Sequence, residues 1–173
     1  MSACYLTKEE EERYVDLKHL ALTSARTGDA ELLESVIQAG MPVNLADDKG
    51  NSLLMLAAYH GHGETVRMLL ANRAEIDRRN DHGQTPLGGV AFKGNLPMIQ
   101  LLLTAGADIN ADNGGGKTPL MFAAMFGHRD VVEHLLATGA DPASQTWLGI
   151  SAQQIAKVTG AFRSLSTLFS GQQ

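Results

Sequence analysis

Glycine recurs in this chain at a fixed interval, and that interval constrains the fold more than any other property of the sequence. Gly50, Gly83, Gly116 and Gly149 are 33 residues apart, and so are Gly28, Gly61, Gly94, Gly127 and Gly160. A third ladder, Gly40, Gly106 and Gly139, keeps the same register with Arg73 in the missing rung. The triplets Thr85-Pro86-Leu87 and Thr118-Pro119-Leu120 repeat at that step too. A period between about 20 and 50 residues marks stacked supersecondary units, none of which buries its apolar face alone.

The residues inside one period say what the unit is. Thr-Pro opens a helix with proline at its first helical position, where the missing N–H costs nothing and φ is already set. Ala57-Ala58 and Ala123-Ala124 are small enough to let neighbouring helices approach closely. The middle glycine ladder ends that helix in a left-handed conformation that a Cβ would penalise. A second helix follows. Its apolar pairs, Val66 with Leu69-Leu70, Ile99 with Leu102-Leu103, and Val131-Val132 with Leu135-Leu136, take the i, i+3, i+4 spacing of one buried face.

One stretch carries nearly the whole pattern: Gly116-Lys117-Thr118-Pro119-Leu120, Ala123-Ala124, Gly127-His128, Val131-Val132, Leu135-Leu136 and Gly139-Ala140-Asp141. These residues resemble the ankyrin-repeat family, and the resemblance runs from roughly residue 17 to residue 170. It implies an all-α solenoid of stacked helix-turn-helix units joined by hairpin-like finger loops. The expected organisation is a single domain over 1–173, with an N-terminal cap and degenerate first repeat at 7–49. Full repeats follow at 50–82, 83–115 and 116–148, then a truncated capping repeat at 149–173.

The ends read as caps. Thr7 and Glu10 form a capping box that opens a helix over 7–27, in which Tyr14, Leu17, Leu20 and Leu22 are expected to cover the first repeat while Glu11, Arg13 and Asp16 face water. At the other end Ile155 and Ala156 continue the inner helices, and Phe162, Leu165, Leu168 and Phe169 are expected to form the last outer one.

Four departures from the family pattern carry expectations of their own. Met55, Gly88 and Met121 stand where the resemblance places a histidine after Thr-Pro-Leu, which implies that the hydrogen bonds of that histidine are missing. Gly88-Gly89 lies inside a predicted helix, where each glycine costs about 0.5–1 kcal/mol relative to alanine, so the 83–115 unit is expected to be the softest. Arg73 at a left-handed position implies strain or a changed turn. Pro142 and Ala143 are expected to alter the last full turn.

Several short patterns imitate chemistry and fail on their spacing. Gly116-Lys117-Thr118 ends like a phosphate-binding loop, but Ala111 stands where the first glycine belongs. His128-Arg129-Asp130 imitates a kinase catalytic loop, yet Leu135 occupies the place of its asparagine. His60 and His62 lack two further zinc ligands, and His62 reads as a hydrogen-bonding helix start. Gly114-Gly115-Gly116 reads as a flexible finger tip rather than an anion cradle. With no nucleophile elbow or zincin helix either, no catalytic, cofactor or metal site is expected, and an enzymatic role is the least favoured reading.

Charge and cysteine content bound the partners. A net charge of -5 with 14 scattered basic residues disfavours nucleic acid, whose phosphates need a concentrated Lys/Arg field. The one cysteine, Cys4, has no internal disulfide partner, no apolar stretch approaches the ~18 residues of a membrane span, and no secretory signal precedes the acidic start, so a cytoplasmic protein is expected.

What remains is protein binding. The resemblance implies a concave groove formed by the finger turns and the exposed side of the first helices. It places Tyr59-His60, Phe92-Lys93, Met125-Phe126 and Val158-Thr159 along that groove. Its finger tips are Asp48-Lys49-Asn51, Asp81-His82-Gln84, Gly114-Gly115-Lys117 and Trp147-Leu148-Ile150. Tyr59, Phe92, Met125 and Phe126 form an apolar ladder that Trp147 and Leu148 extend, and such exposed aromatics are the stuff of interface hot spots. The competing reading is that they pack on one another, filling space left by the absent histidines, or that Trp147 shields the last unit. Asp47, Asp48 and Asp81 read as a solvated rim. The expected function is that of an adaptor, inhibitor or client holder, monomeric, with a self-associating structural protein as the alternative.

Overall fold

Most of the helices begin where the sequence supplies an acceptor for their unsatisfied N–H groups. Ser52, Thr85 and Thr118 cap three successive inner helices by accepting from the N–H of Met55, Gly88 and Met121. Asp29 and Asn95 cap two of the outer helices in the same way. A computed structural model of the chain describes residues 7–158. Within them the helices are α1 (Lys8–Thr27), α2 (Ala30–Gln38), α3 (Leu53–His60), α4 (Gly63–Ala71), α5 (Pro86–Lys93), α6 (Leu96–Thr104), α7 (Pro119–Met125), α8 (Arg129–Ala137) and α9 (Ala152–Val158). The last outer helix expected from Phe162 to Phe169 lies outside the described residues.

The helices form two layers. The inner layer stacks α1, α3, α5, α7 and α9 in order, and each of the first four also packs against the outer helix that follows it. The core runs between the layers as ladders at the repeat spacing. Leu54, Leu87 and Leu120 are buried in the inner layer, flanked by Ala25, Ala58, Ala91 and Ala124. Leu33, Val66, Ile99 and Val132, with Val36, Leu69, Leu102 and Leu135, bury the facing side of the outer layer. Glycines Gly28, Gly61, Gly94 and Gly127 all adopt positive φ after the inner helices, as their ladder predicts.

Polar ties lock this register. The N–H of Glu75, Asp108 and Asp141 donate to the side-chain oxygens of Asn44, Asp77 and Asn110, each on the turn of the preceding unit. His62 and His128 reach back the same way, Nε2 lying 2.8 Å from the Arg26 carbonyl and 2.9 Å from that of Phe92. This corrects the reading of His62 as a helix-start hydrogen bond: it stands at the N-cap of α4 but makes no side-chain cap bond there. Its ring lies against Gly28, and that of His128 against Gly94, so a Cβ at either glycine would strike the imidazole.

Further expectations are corrected. Leu22 is buried and Leu17 packs against the core as expected, but Tyr14 and Leu20 are exposed, and the rest of the buried side of α1 is Ala21, Ser24 and Ala25. For Tyr14 the reason is length: α3 has 8 residues against the 20 of α1, and residues 7–16 are all exposed. Pro142 and Ala143 leave their turn in the form of the first one, with the bridge between Gln145 and Ser151 matching that between Ala46 and Ser52. Arg73 keeps the left-handed conformation of its ladder, at φ 64, the one positive-φ non-glycine residue among those described.

The largest correction concerns Gly88. The hydrogen bonds expected to be missing there are supplied by the finger that follows: the buried Asn113 carboxamide accepts from the Thr85 N–H at 2.8 Å and from its hydroxyl at 3.0 Å, and donates to the Ala111 carbonyl. A Cβ on Gly88 would overlap that carboxamide. Gly88 and Asn113 are therefore a complementary pair. Gly88→Ala, which helix propensity alone would make stabilising by about 1 kcal/mol, is expected to destabilise by about 1–3 kcal/mol in urea unfolding. In an Asn113→Ala background the same substitution should cost much less, giving a coupling of the sign that a double-mutant cycle detects.

A candidate protein-binding face

The concave face is built from the last turns of the inner helices and the fingers that precede them. Each finger is closed by one polar side chain. In the first, the Asp47 carboxylate accepts from the N–H of Lys49 and Asn51, the Asn51 carboxamide and, at 2.9 Å, the Arg26 guanidinium. In the second, Asn80 Oδ1 takes the N–H of His82 and Gln84. In the third the corresponding Asn113 has turned inward, and Asp112 takes over by accepting from the N–H of Gly114 and Gly116. Gly114, Gly115 and Gly116 all have positive φ, and the Lys117 ammonium and Trp147 N–H bond to the carbonyls of Gly114 and Gly115. That finger is pinned rather than a free tip. The first two fingers are likewise joined by the Asp81 N–H to the Lys49 carbonyl.

Asp47 is thus a structural residue, which corrects its assignment to the solvated rim. Burial works against its charge, but the donors from Asn51, Lys49 and Arg26 outweigh it and hold the carboxyl below the usual aspartate value. Asp48, Asp81 and His82 are exposed on the tips as expected, and Asp48 lies 3.7 Å from Lys18 on α1.

The aromatic ladder is in place. Tyr59, Phe92 and Phe126 are 39%, 40% and 48% exposed, and Trp147 and Leu148 on the fourth finger exceed 80%. Met125 is half-buried. Phe92 and Phe126 do pack edge-to-face with centroids 4.4 Å apart, but the space of the absent histidines is filled by the buried Met55 and Met121 instead. The Lys93 ammonium sits 5.0 Å from the Tyr59 ring centre, and His60 meets that ring edge-on. Burial, together with the positive charges of His62, Arg26 and Lys93, lowers the His60 pKa. Val158-Thr159 continue the series beyond the side chains described.

Between the first two fingers and the ends of α3 and α5 the face deepens into a hollow of about 650 Å³, lined by Leu56, Tyr59, His60, Gly89 and Phe92 and rimmed by Arg26, Asp48, Lys49 and Gln84. Sequence reasoning did not single out Gly89 or Arg26 for this face. Both were within reach of the period: Arg26 is one step of 33 before Tyr59, and Gly89 aligns with Leu56, Phe122 and Ile155. Among the described residues no group of three or more His, Cys, Asp or Glu could hold a metal ion, and no helix is long and apolar enough to cross a membrane.

Comparison with known proteins agrees with this architecture. The sequence pattern of the ankyrin repeats, in three copies, matches residues 18–113 and 72–146. Over 50 residues the chain is 52% identical to the ankyrin repeat protein PA3287 of Pseudomonas aeruginosa, a match that spans 29% of this chain and 29% of that protein. The chain belongs to the ankyrin-repeat family. Arrays of this kind are in general protein-interaction modules that bind along an extended concave surface.

Asp47 gives the face a pH signature. A carboxyl whose folded-state pKa is lowered contributes stability that is complete above its unfolded pKa and is lost as pH falls through the folded value. Below about pH 4, the ordinary aspartate range, the wild-type protein is expected to lose more of its urea stability than Asp47→Asn does. Equal losses in the two proteins would remove the structural role given to Asp47.

Proposed function

We propose that this protein is a monomeric protein-binding module that seizes one partner along the concave face, acting as adaptor, inhibitor or client holder rather than as an enzyme. The observation that carries the reading is the row of Tyr59, Phe92 and Phe126, each exposed by more than a third while the equivalent core ladders around them are closed. Large rigid rings in a line bury much area at small entropic cost, and a few of them dominate the energy of a typical interface. Met125, Trp147 and Leu148 extend the row, while His60, Lys93, Asp48, Asp81 and His82 supply a polar border that selects the partner. The face takes a protein rather than nucleic acid or membrane, because the chain is net acidic and its cations are spread. A single cysteine fits a reducing compartment, and we place the protein in the cytoplasm.

The test is affinity capture from native lysate with two baits, the wild-type protein and the Tyr59→Ser, Phe92→Ser, Phe126→Ser variant, whose fold is verified by circular dichroism. Loss of three anchors worth over 1 kcal/mol each should cut retention of the partner by at least about a hundredfold. Equal retention by both baits would move the site off this face. Light scattering should show a mass independent of concentration; a dimer that the triple variant dissolves would favour self-association.

A further inference from the structure

The concave wall is not uniform along the stack, and the unit in which it differs is the one that carries the hollow. At the position facing the groove one turn before the aromatic row, the four repeats present Leu56, Gly89, Phe122 and Ile155. Only at Gly89 is the side chain absent. A Cβ built there would lie 3.6 Å from the Tyr59 ring, an ordinary contact, so no neighbour occupies the vacated space. Gly88, one residue earlier, is glycine because Asn113 fills the space beside it; Gly89 has no such reason. A glycine within a helix that costs stability and packs against nothing leaves a notch, walled by Tyr59 and Phe92 and floored by Leu56 and the α5 backbone.

Of the charged side chains at this notch, the two carboxylates lie against cations of the chain itself, whereas two lysines have no such pairing among the described residues. Asp47 is committed to Arg26 at 2.9 Å, and Asp48 lies 3.7 Å from Lys18. Lys49 on the first finger and Lys93 beside Tyr59 make no ion pair among the described residues. His60 meets the edge of the Tyr59 ring, and burial with the positive charges of His62, Arg26 and Lys93 lowers its pKa, so the charge of this border is that of the two lysines. In a chain of net charge -5 this is a local positive border on an apolar hole.

We propose that the notch over Gly89 is the specificity pocket of the concave face and receives one large apolar side chain of a partner peptide whose neighbouring residues are acidic, read by Lys49 and Lys93. The apolar side chain replaces the one that Gly89 lacks, closing the gap between Tyr59 and Phe92. The carboxylates bring to the cations the counter-charge that the protein does not provide itself. This rests on the concave face being the binding face, and it adds which unit decides and what chemistry it decides for.

The experiment selects a displayed library of random peptides, about a dozen residues long, against the intact protein, and then measures the enriched peptides by fluorescence polarisation against three variants. Expected are peptides that pair a Leu, Met or aromatic residue with adjacent Asp or Glu. Their affinity should fall about tenfold or more with Gly89→Leu, which fills the notch, and with Lys93→Glu, which reverses the border. Lys93 is exposed and Gly89 half-buried at the open hollow, and circular dichroism with urea unfolding confirms the fold of each variant. Peptides without acidic enrichment, or insensitive to Gly89→Leu and Lys93→Glu, overturn the pocket assignment. Among those, peptides still lost with Phe126→Ser would leave the binding face standing. Peptides indifferent to all three variants, or no enrichment at all, would overturn both.

Discussion

No unit of this protein has a core of its own. The apolar side of each outer helix, Leu33 and Val36 or Val66 and Leu69, is buried because an inner helix of the same unit and the next unit along close over it. At about 25 cal/mol for each Å² of apolar surface removed from water, that closure is what holds the array together, and it acts only when successive units keep one register. The polar groups serve the register. Asn44, Asp77 and Asn110 on the outer turns, and His62 and His128 at the inner edge, each bind the backbone of a neighbouring unit and leave few buried polar groups unpaired. Among the described side chains only the Thr65 hydroxyl is buried without a partner.

The face proposed for binding follows from that constraint. Because the core lies between the layers, the last turns of the inner helices and the fingers are left on one side, free to carry side chains that the stack does not need. The aromatic row, the cations beside it and the notch at Gly89 all sit on this surface. Their cost is local: an exposed Phe126 or an empty Gly89 weakens one unit slightly and leaves the register of the others intact, as near-neighbour stability allows.

The fold was legible in the sequence because a period is a property of residue identity alone. Glycines at positive φ, Thr-Pro starts and apolar pairs can be counted without knowing where any side chain points. The aromatic row was legible for the same reason. What was not legible depends on the direction or length of a neighbour. Tyr14 has the pattern of a covering helix, but whether it is covered depends on how far α3 extends beside it. Asp47 and Asn113 hold corresponding places in two fingers, yet one closes its own finger and the other turns inward to Thr85, a choice made by the missing Cβ of Gly88. Glycine in a helix signalled a weak unit; it marked a packing partner at Gly88 and an open space at Gly89. The pairing of a departure at Gly88 with the three glycines after Asn113 was the available clue.

The claim on which the rest turns is that binding takes place on the concave side. Hydrogen–deuterium exchange of the protein alone and saturated with its captured partner tests it most directly, because it reads every helix at once. The account predicts new protection in the last turns of α3, α5 and α7 and in the fingers, with α4, α6 and α8 unchanged. Protection concentrated on those outer helices, with the fingers unchanged, would contradict it.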